Sequence, residues 1–260
     1  MGIKSFWIVA TLAAIVATAT SPMWLNPYYV GILVLTLVFI GLSSAWNLIG
    51  GMAGQFSIGH SLFMALGGTT VGALVSLHGW NVWASVLTAV VLSAALAFVI
   101  SLMTFSRSVP PLSFALVTLA LGEVGLLIVT SSEPLGSAAG VVWNQRGEGG
   151  LGLEGLNETL WASLALTIVV VAICGWCSRS KFGYYLKAIR DDEAAAASLG
   201  INLFWNKTAA MVLSAVLTSV LATLYASHMV FIDPHQFASP VLVITIILYV
   251  VVGGMGTVRG

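Results

Sequence analysis

Of 260 residues, 59% are hydrophobic and only 7% are charged, with a formal net charge of +0. A soluble domain carries about 25% charged residues, so a water-exposed globule is excluded. The balanced charge by itself says nothing about a nucleic-acid partner, and none is expected.

Between Ser5 and Ser106 there is no Lys, Arg, Asp or Glu. Lipid is the solvent that suits such a stretch. In lipid every backbone amide must be satisfied within the chain, which leaves helices or a closed barrel. The apolar blocks are continuous runs of roughly 20 residues, the length of a helical span. The alternation of barrel strands is absent. The expected fold is therefore all-α: a polytopic helical membrane protein of about eight transmembrane helices in one domain, residues 1–260.

Breaker residues divide the blocks. The first runs from about Ser5 to Thr20 and ends at Ser21-Pro22. A signal-peptide reading of this end, with Lys4, an apolar run and Ala17-Thr18-Ala19, competes with an uncleaved first span, which suits a chain embedded throughout. The second block runs from about Tyr28 to Ile49. The third, about Phe56 to Leu77, is preceded by Gly50-Gly51. The others are about Val82 to Met103, Leu112 to Thr130, Thr159 to Ser178, Thr208 to Val230 and His235 to Gly254.

Lys and Arg mark the cytoplasmic side. With the N-terminus inside and eight crossings, Lys4, Arg107, the segment Arg179–Lys207 and Arg259 all fall inside. Arg146 alone falls outside, in the loop 131–158 with Glu133, Glu148, Glu154 and Glu158. Eight of nine basic residues thus agree with one parity. Trp24, Trp80, Trp83, Trp143, Trp161 and Trp176 lie at or near span ends, as an aromatic belt requires.

The stretch 50–72, GGMAGQFSIGHSLFMALGGTTVG, is rich in glycine and carries Gln55, Ser57, His60, Ser61, Thr69 and Thr70. Glycine interruptions of this kind point to a broken or re-entrant helix at a translocation site. Plain close packing of helices explains them equally. His60 by itself reads more naturally as a packing histidine than as a ligand, since no second donor lies at metal-ligand spacing. Glu123 is the one Asp, Glu, Lys or Arg inside a span, a functional-site hypothesis by default. The competing reading is a structural contact to a neighbouring helix, and Thr118, Gly122 and Gly125 signal close approach there.

The charged inside loop 179–207 contains AIRDDEAAAASLGI. Asp191, Asp192 and Glu193 crowd the start of a short helix at about 190–200, where the helix dipole favours acids. Ala194 to Ala197 supply helix propensity, and Gly200 is the stop. A small-residue helix of this kind suits a groove on another protein. C-G-W-C at Cys174–Cys177 sits on an apolar helix and reads as packing, not redox chemistry. No phosphate-binding loop occurs, so the chain hydrolyses no nucleotide by that route.

Four patches carry a resemblance. They are AWNLIGGMAGQFSIGHSLFMALGG (45–68), TLALGEVG (118–125), KFGYYLKAIRDDEAAAASLGIN (181–202), and LSAVLTSVLATLYASHMVFIDPHQF (213–237) leading into VVGGMGTVRG. In these the chain resembles the membrane permease subunits of ATP-binding-cassette importers, in the branched-chain amino acid and urea group. The resemblance implies a sister permease subunit, two cytoplasmic ATPase subunits and a periplasmic binding protein facing loop 131–158. It implies a bacterial inner membrane location and no cofactor or metal of the chain's own, ATP being bound by the partners. Arg190, Asp191, Asp192, Glu193, Ala194 and Gly200 then form the ATPase-coupling segment. Asn47, Gln55, Ser57, His60, Ser61, Thr118 and Glu123 are candidates for the translocation path, with no catalytic residues. Family members continue past GGMGTVRG, which implies that this chain lacks the C-terminal span or spans. Branched-chain amino acids lead among substrates, followed by urea or short amides. Two other classes compete: a proton-coupled secondary transporter using Glu123, and a membrane enzyme using Glu123 with His60. The coupling helix discriminates, because only a driven permease needs it.

Overall fold

The computed structural model describes residues 3–107, 109–143, 153 and 155–257, with side chains from Thr11 onward. Arg146, Glu148, Glu154 and Arg259, and the Lys4 side chain, which enter the charge argument, lie outside the described residues.

Helix α1 spans Ile3–Thr20 and stops at a short turn containing Pro22. Helix α2, Pro27–Asn47, starts with proline in its first turn, where the missing N–H costs nothing. It runs on into one π turn, Leu48–Met52. Residues 53–59 are non-helical. Helix resumes as α3, His60–Ala65, passes through a second π turn, Leu66–Thr70, and ends as α4, Val71–Ser76. Helix α5, Val82–Thr104, is capped by the Asn81 side chain, which accepts from Trp83 N at 2.9 Å. Then come α6, Pro111–Ser131, strand β1, Val141–Val142, and α7, Leu156–Arg179. The charged loop holds α8, Lys181–Asp191, and α9, Glu193–Ser198. Helix α10, Leu203–Met229, strand β2, Phe231–Ile232, α11, Pro234–Phe237, and α12, Pro240–Gly253, complete the order.

The architecture is all-α apart from the antiparallel β1–β2 bridge, in which Val141 faces Ile232. Among the described residues six helical runs are long and apolar enough to cross a membrane: Pro27–Met52, Val82–Arg107, Pro111–Ser131, Leu156–Arg179, Leu203–Met229 and Pro234–Gly253. The expectation of about eight is therefore met at full length by six. The third block falls short because its glycine-rich start leaves the helix over residues 53–59. What remains, His60–Ser76, is apolar but short.

Helix α10 is the most buried of the six and forms the axis of the bundle. Against it lie α2, where a side chain on Gly41 would meet Leu221 Cδ2 at 2.8 Å, and the α3–α4 run. Helix α7 packs on α2 through Thr167 Oγ1, donating to Leu37 O at 2.8 Å, and Cys174 Sγ, donating to Ser44 O at 3.3 Å. Both cysteines are free and buried, as a packing role requires. Trp24, Trp80, Trp83, Trp161 and Trp176 are exposed. Trp143 departs from the belt: it is buried beneath β2, with its backbone N–H on Val230 O. The strand bridge draws it inward.

Candidate functional site

The charged loop folds back on the bundle by local capping. Ser180 caps α8 by accepting from Gly183 N at 3.4 Å, and α8 buries Gly183, Leu186 and Ile189 on one face. A methyl on Gly183 would strike the Cys177 carbonyl oxygen, so glycine permits the sharp corner from α7. The helix expected at about 190–200 is split. Asp192 takes an extended conformation and its carboxylate accepts from Ala194 N at 2.8 Å and Ala195 N at 3.0 Å. Satisfying two orphan amides makes Asp192 the N-cap of α9. Arg190 and Asp191 thereby close α8 instead. Gly200, at φ +81°, ends α9, with Gly200 N on Ala197 O at 2.9 Å and Ile201 N on Ala196 O at 3.1 Å. These are the two hydrogen bonds of a Schellman stop.

Two side chains of this segment reach into the bundle. Arg190 Nη1 donates to Gly51 O at 2.9 Å, while its Cγ sits where a side chain on Gly54 would stand, at 2.7 Å. A methyl on Gly256 would strike the same guanidinium. Glu193 Oε1 accepts from Lys207 Nζ at 2.6 Å and from Gln55 Nε2 at 3.2 Å. The Lys207 ammonium also lies 5.6 Å from the Phe105 ring centre, a cation–π distance. Asn47 extends the connection: its amide donates to Thr257 O at 2.7 Å and accepts from Gly256 N at 2.8 Å. Three segments far apart in sequence, the glycine-rich 50–55 and 253–257 and the charged 190–200, thus meet at one end of the bundle. The outer surface of the segment is left to Asp191, Asp192, Ala194, Ala195, Ala197 and Leu199, the last 80% exposed.

Of the remaining candidate residues, Ser57, His60, Ser61 and Thr118 form a second, fully packed group. His60 Nε2 lies 2.8 Å from Ser214 Oγ, and Ser214 spends its one proton on Ala45 O at 2.6 Å. Ser214 must therefore accept from the imidazole, which places the ring proton on Nε2. Nδ1 is then free to accept from Ser57 Oγ, 2.9 Å away. Ile58 N donates to Thr118 Oγ1 at 3.2 Å, and Ser61 Oγ stands 2.8 Å from where a side chain on Gly122 would be. The close approach expected of Thr118, Gly122 and Gly125 is present, with α6 backbone against Gly59. His60 serves as a tie between α3 and α10. His60→Leu is expected to destabilise the protein by about 1–3 kcal/mol through the unpaired serine it leaves. An unchanged melting temperature in detergent would contradict this role.

Glu123 does not join that cluster. It lies on the exposed face of α6 and has no hydrogen-bond or ion-pair partner among the described residues, so the structure does not bring it to His60. A groove of about 490 Å³ opens between α2 and α12, lined by Thr36, Phe39, Ser43, Asn47, Tyr249 and Thr257 among others. Of the candidate path residues only Asn47 reaches it. Among the described residues no group of three His, Cys, Asp or Glu is placed to hold a metal.

Ser214 and the Lys207–Glu193 pairing escaped the sequence reading. A lysine in the opening turns of a long apolar helix, where the dipole disfavours a cation, was the available signal for the second.

These features define a multi-pass helical membrane protein with a broken helix in its core and a charged loop tied to that break. The chain belongs to the family described as branched-chain amino acid transport system, permease component, which matches residues 28–260. It is similar to the high-affinity branched-chain amino acid transport system permease protein LivM of Salmonella typhimurium, 27% identical over 275 residues. That match takes in 95% of this chain and 63% of the relative. LivM of Escherichia coli is likewise 27% identical, over 281 residues, 98% of this chain and 64% of the relative. The chain thus spans under two thirds of the length of these curated relatives. No solved structure matches it.

Proposed function

We propose that the chain is the membrane-spanning permease subunit of an ATP-driven importer of small polar solutes, with branched-chain amino acids as the leading substrate. The observation that carries this reading is the division of the charged loop into two faces. Arg190 and Glu193 grip the bundle, while α9 presents a small, shallow outer face of alanines with Leu199 at its tip. Such a face fits a groove on an ATPase subunit, and the inward grip carries a push on α9 into residues 51–55. The names of the LivM relatives favour branched-chain amino acids; urea or short amides are the alternative in the same family. In this reading α1 and the broken α3–α4 run complete eight crossings. The N-terminus and the α8–α9 loop face the cytoplasm of a bacterial inner membrane. The chain itself catalyses nothing and binds no cofactor. A sister permease, two ATPase subunits and a periplasmic binding protein complete the transporter.

The test is Gly200→Asp in proteoliposomes holding the full transporter. A side chain at Gly200 meets no atom within 4 Å, so the bundle stays intact. The left-handed φ and the added carboxylate act only on the α9 stop and its outer face. ATP-driven uptake is expected to be abolished while the permease remains assembled. Full uptake in this variant would refute the coupling role.

A further inference from the structure

Helix α8 is tied at both ends to the ends of spans. A methyl on Gly183 would strike the Cys177 carbonyl oxygen, so the first turn of α8 lies beside the last turn of the span Leu156–Arg179. At the other end Arg190 Nη1 donates to Gly51 O, at the close of the span Pro27–Met52. A helix of 11 residues, about 16 Å long, held at two span ends runs along the membrane surface and not away from it. Its inner face buries Gly183, Leu186 and Ile189. Its outer face is basic and aromatic. Lys181, Tyr184 and Tyr185 are exposed, and Trp176 and Arg179 stand exposed just before them. Lys187 Nζ lies 5.9 Å from the centre of the Tyr184 ring, a cation–π distance. From Thr159 to Arg190 there is no Asp or Glu. Among the described residues the ion pairs are Arg190–Asp191 and Lys207–Glu193, so Arg179, Lys181 and Lys187 have no carboxylate.

We propose that the outer face of α8, together with Arg179, is a binding site for the anionic headgroups of phospholipids in the adjacent leaflet. Three cations without carboxylates, at the depth of the headgroups, attract lipid phosphates. Their stems can lie along the apolar layer while the charged heads reach outward. Tryptophan and tyrosine rings favour the same depth. The amphipathic division of α8, apolar toward the bundle and basic outside, leaves the basic side to the leaflet. The acids and alanines of α9 lie beyond it in the chain, so the loop offers lipid and protein two different surfaces. Headgroups held on α8 would steady the helix whose last turn carries Arg190 onto Gly51.

The experiment reconstitutes the full transporter in vesicles of equal parts phosphatidylglycerol and phosphatidylcholine, with a photoreactive phenylalanine in place of Tyr185. Adducts are identified by mass. Lipid adducts are expected, with phosphatidylglycerol ahead of phosphatidylcholine by about fivefold or more, the factor that one basic residue contributes at such a surface. The triple variant Arg179→Gln, Lys181→Gln, Lys187→Gln is expected to bring the ratio down to that of the bulk lipid. Lys181→Gln alone, at an exposed side chain, is expected to lower it partway and keeps the test open if the triple variant folds poorly. Arg107→Gln removes an exposed charge at the end of another helix and is expected to leave the ratio unchanged. Equal labelling of the two lipids, a ratio unmoved by Lys181→Gln and the triple variant, an equal fall in Arg107→Gln, or labelling of a protein in place of lipid overturns the proposal. Each of these outcomes leaves the coupling role tested at Gly200 untouched.

Discussion

Gly67→Ala is expected to prevent assembly of the bundle or to destabilise it by at least about 3 kcal/mol. A methyl on Gly67 falls on the carbonyl oxygen and carbon of Ser219 in α10. These are backbone atoms, so no side chain can swing away to relieve the clash. The two segments are also held together, because Thr223 Oγ1 donates to Gly67 O at 2.9 Å. The added carbon must therefore push α10 off the π turn, and α10 is the axis on which the other helices pack. Overpacking a well-filled core ordinarily costs about 1–3 kcal/mol, and a clash with fixed backbone belongs at or beyond the top of that range. Gly31→Ala in α2 is the control. Its nearest neighbour would be His228 Cε1 at 4.0 Å, so removing a helix-interior glycine there should be neutral or stabilising by up to about 1 kcal/mol. Melting temperature and the monodisperse fraction in detergent measure both. Equal behaviour of the two variants would show that the Gly67 contact does not govern packing.

The same contact shows what the sequence makes legible. Glycine frequency over residues 50–72 signals close approach, and the approach is there: Gly59 against Thr118, Gly67 against Ser219, Gly68 against Phe237. Composition cannot name the partners, since Gly67 and Ser219 are far apart in the chain and any small-residue helix would serve. Block lengths and breakers locate the long helices because lipid thickness imposes one length on all of them. They overstate the third block, because hydropathy is blind to whether residues 53–59 are helical once they are buried. Gly200 is legible as a stop because few residues other than glycine adopt its φ. The α8–α9 break is not, because Asp191, Asp192 and Glu193 all suit a helix start, and only packing decides that Asp192 is the cap. Packing likewise decides that Glu123, noticed for its charge alone, ends on the outer face of α6 and not beside His60. The link from Asn47 to Thr257 crosses most of the chain, beyond the reach of any local pattern.

Glu193→Ala is expected to destabilise the protein more than Lys207→Met, although both delete the same ion pair. The asymmetry follows from burial. The Lys207 side chain is 4% exposed and that of Glu193 is 38% exposed. Without Glu193 the ammonium remains in the bundle beside the Phe105 ring, and a charge stripped of its partner in such a place is expensive. Fully buried pairs lose about 3–5 kcal/mol in this way; solvent access at Glu193 reduces the expectation to about 2 kcal/mol. In Lys207→Met the buried charge goes, the stem still packs over Phe105, and the carboxylate keeps Gln55 Nε2 and its access to water. That loss should stay below about 1 kcal/mol. The double variant should then be more stable than Glu193→Ala alone, a coupling that a double-mutant cycle of melting curves reads directly. Function should follow a different order. Each variant unties α9 from α10, and Glu193→Ala also removes its hydrogen bond to Gln55, so each should reduce ATP-driven uptake, the well-folded Lys207→Met included. If Lys207→Met transports normally, the grip of Glu193 on the bundle supports the fold and carries no motion into it.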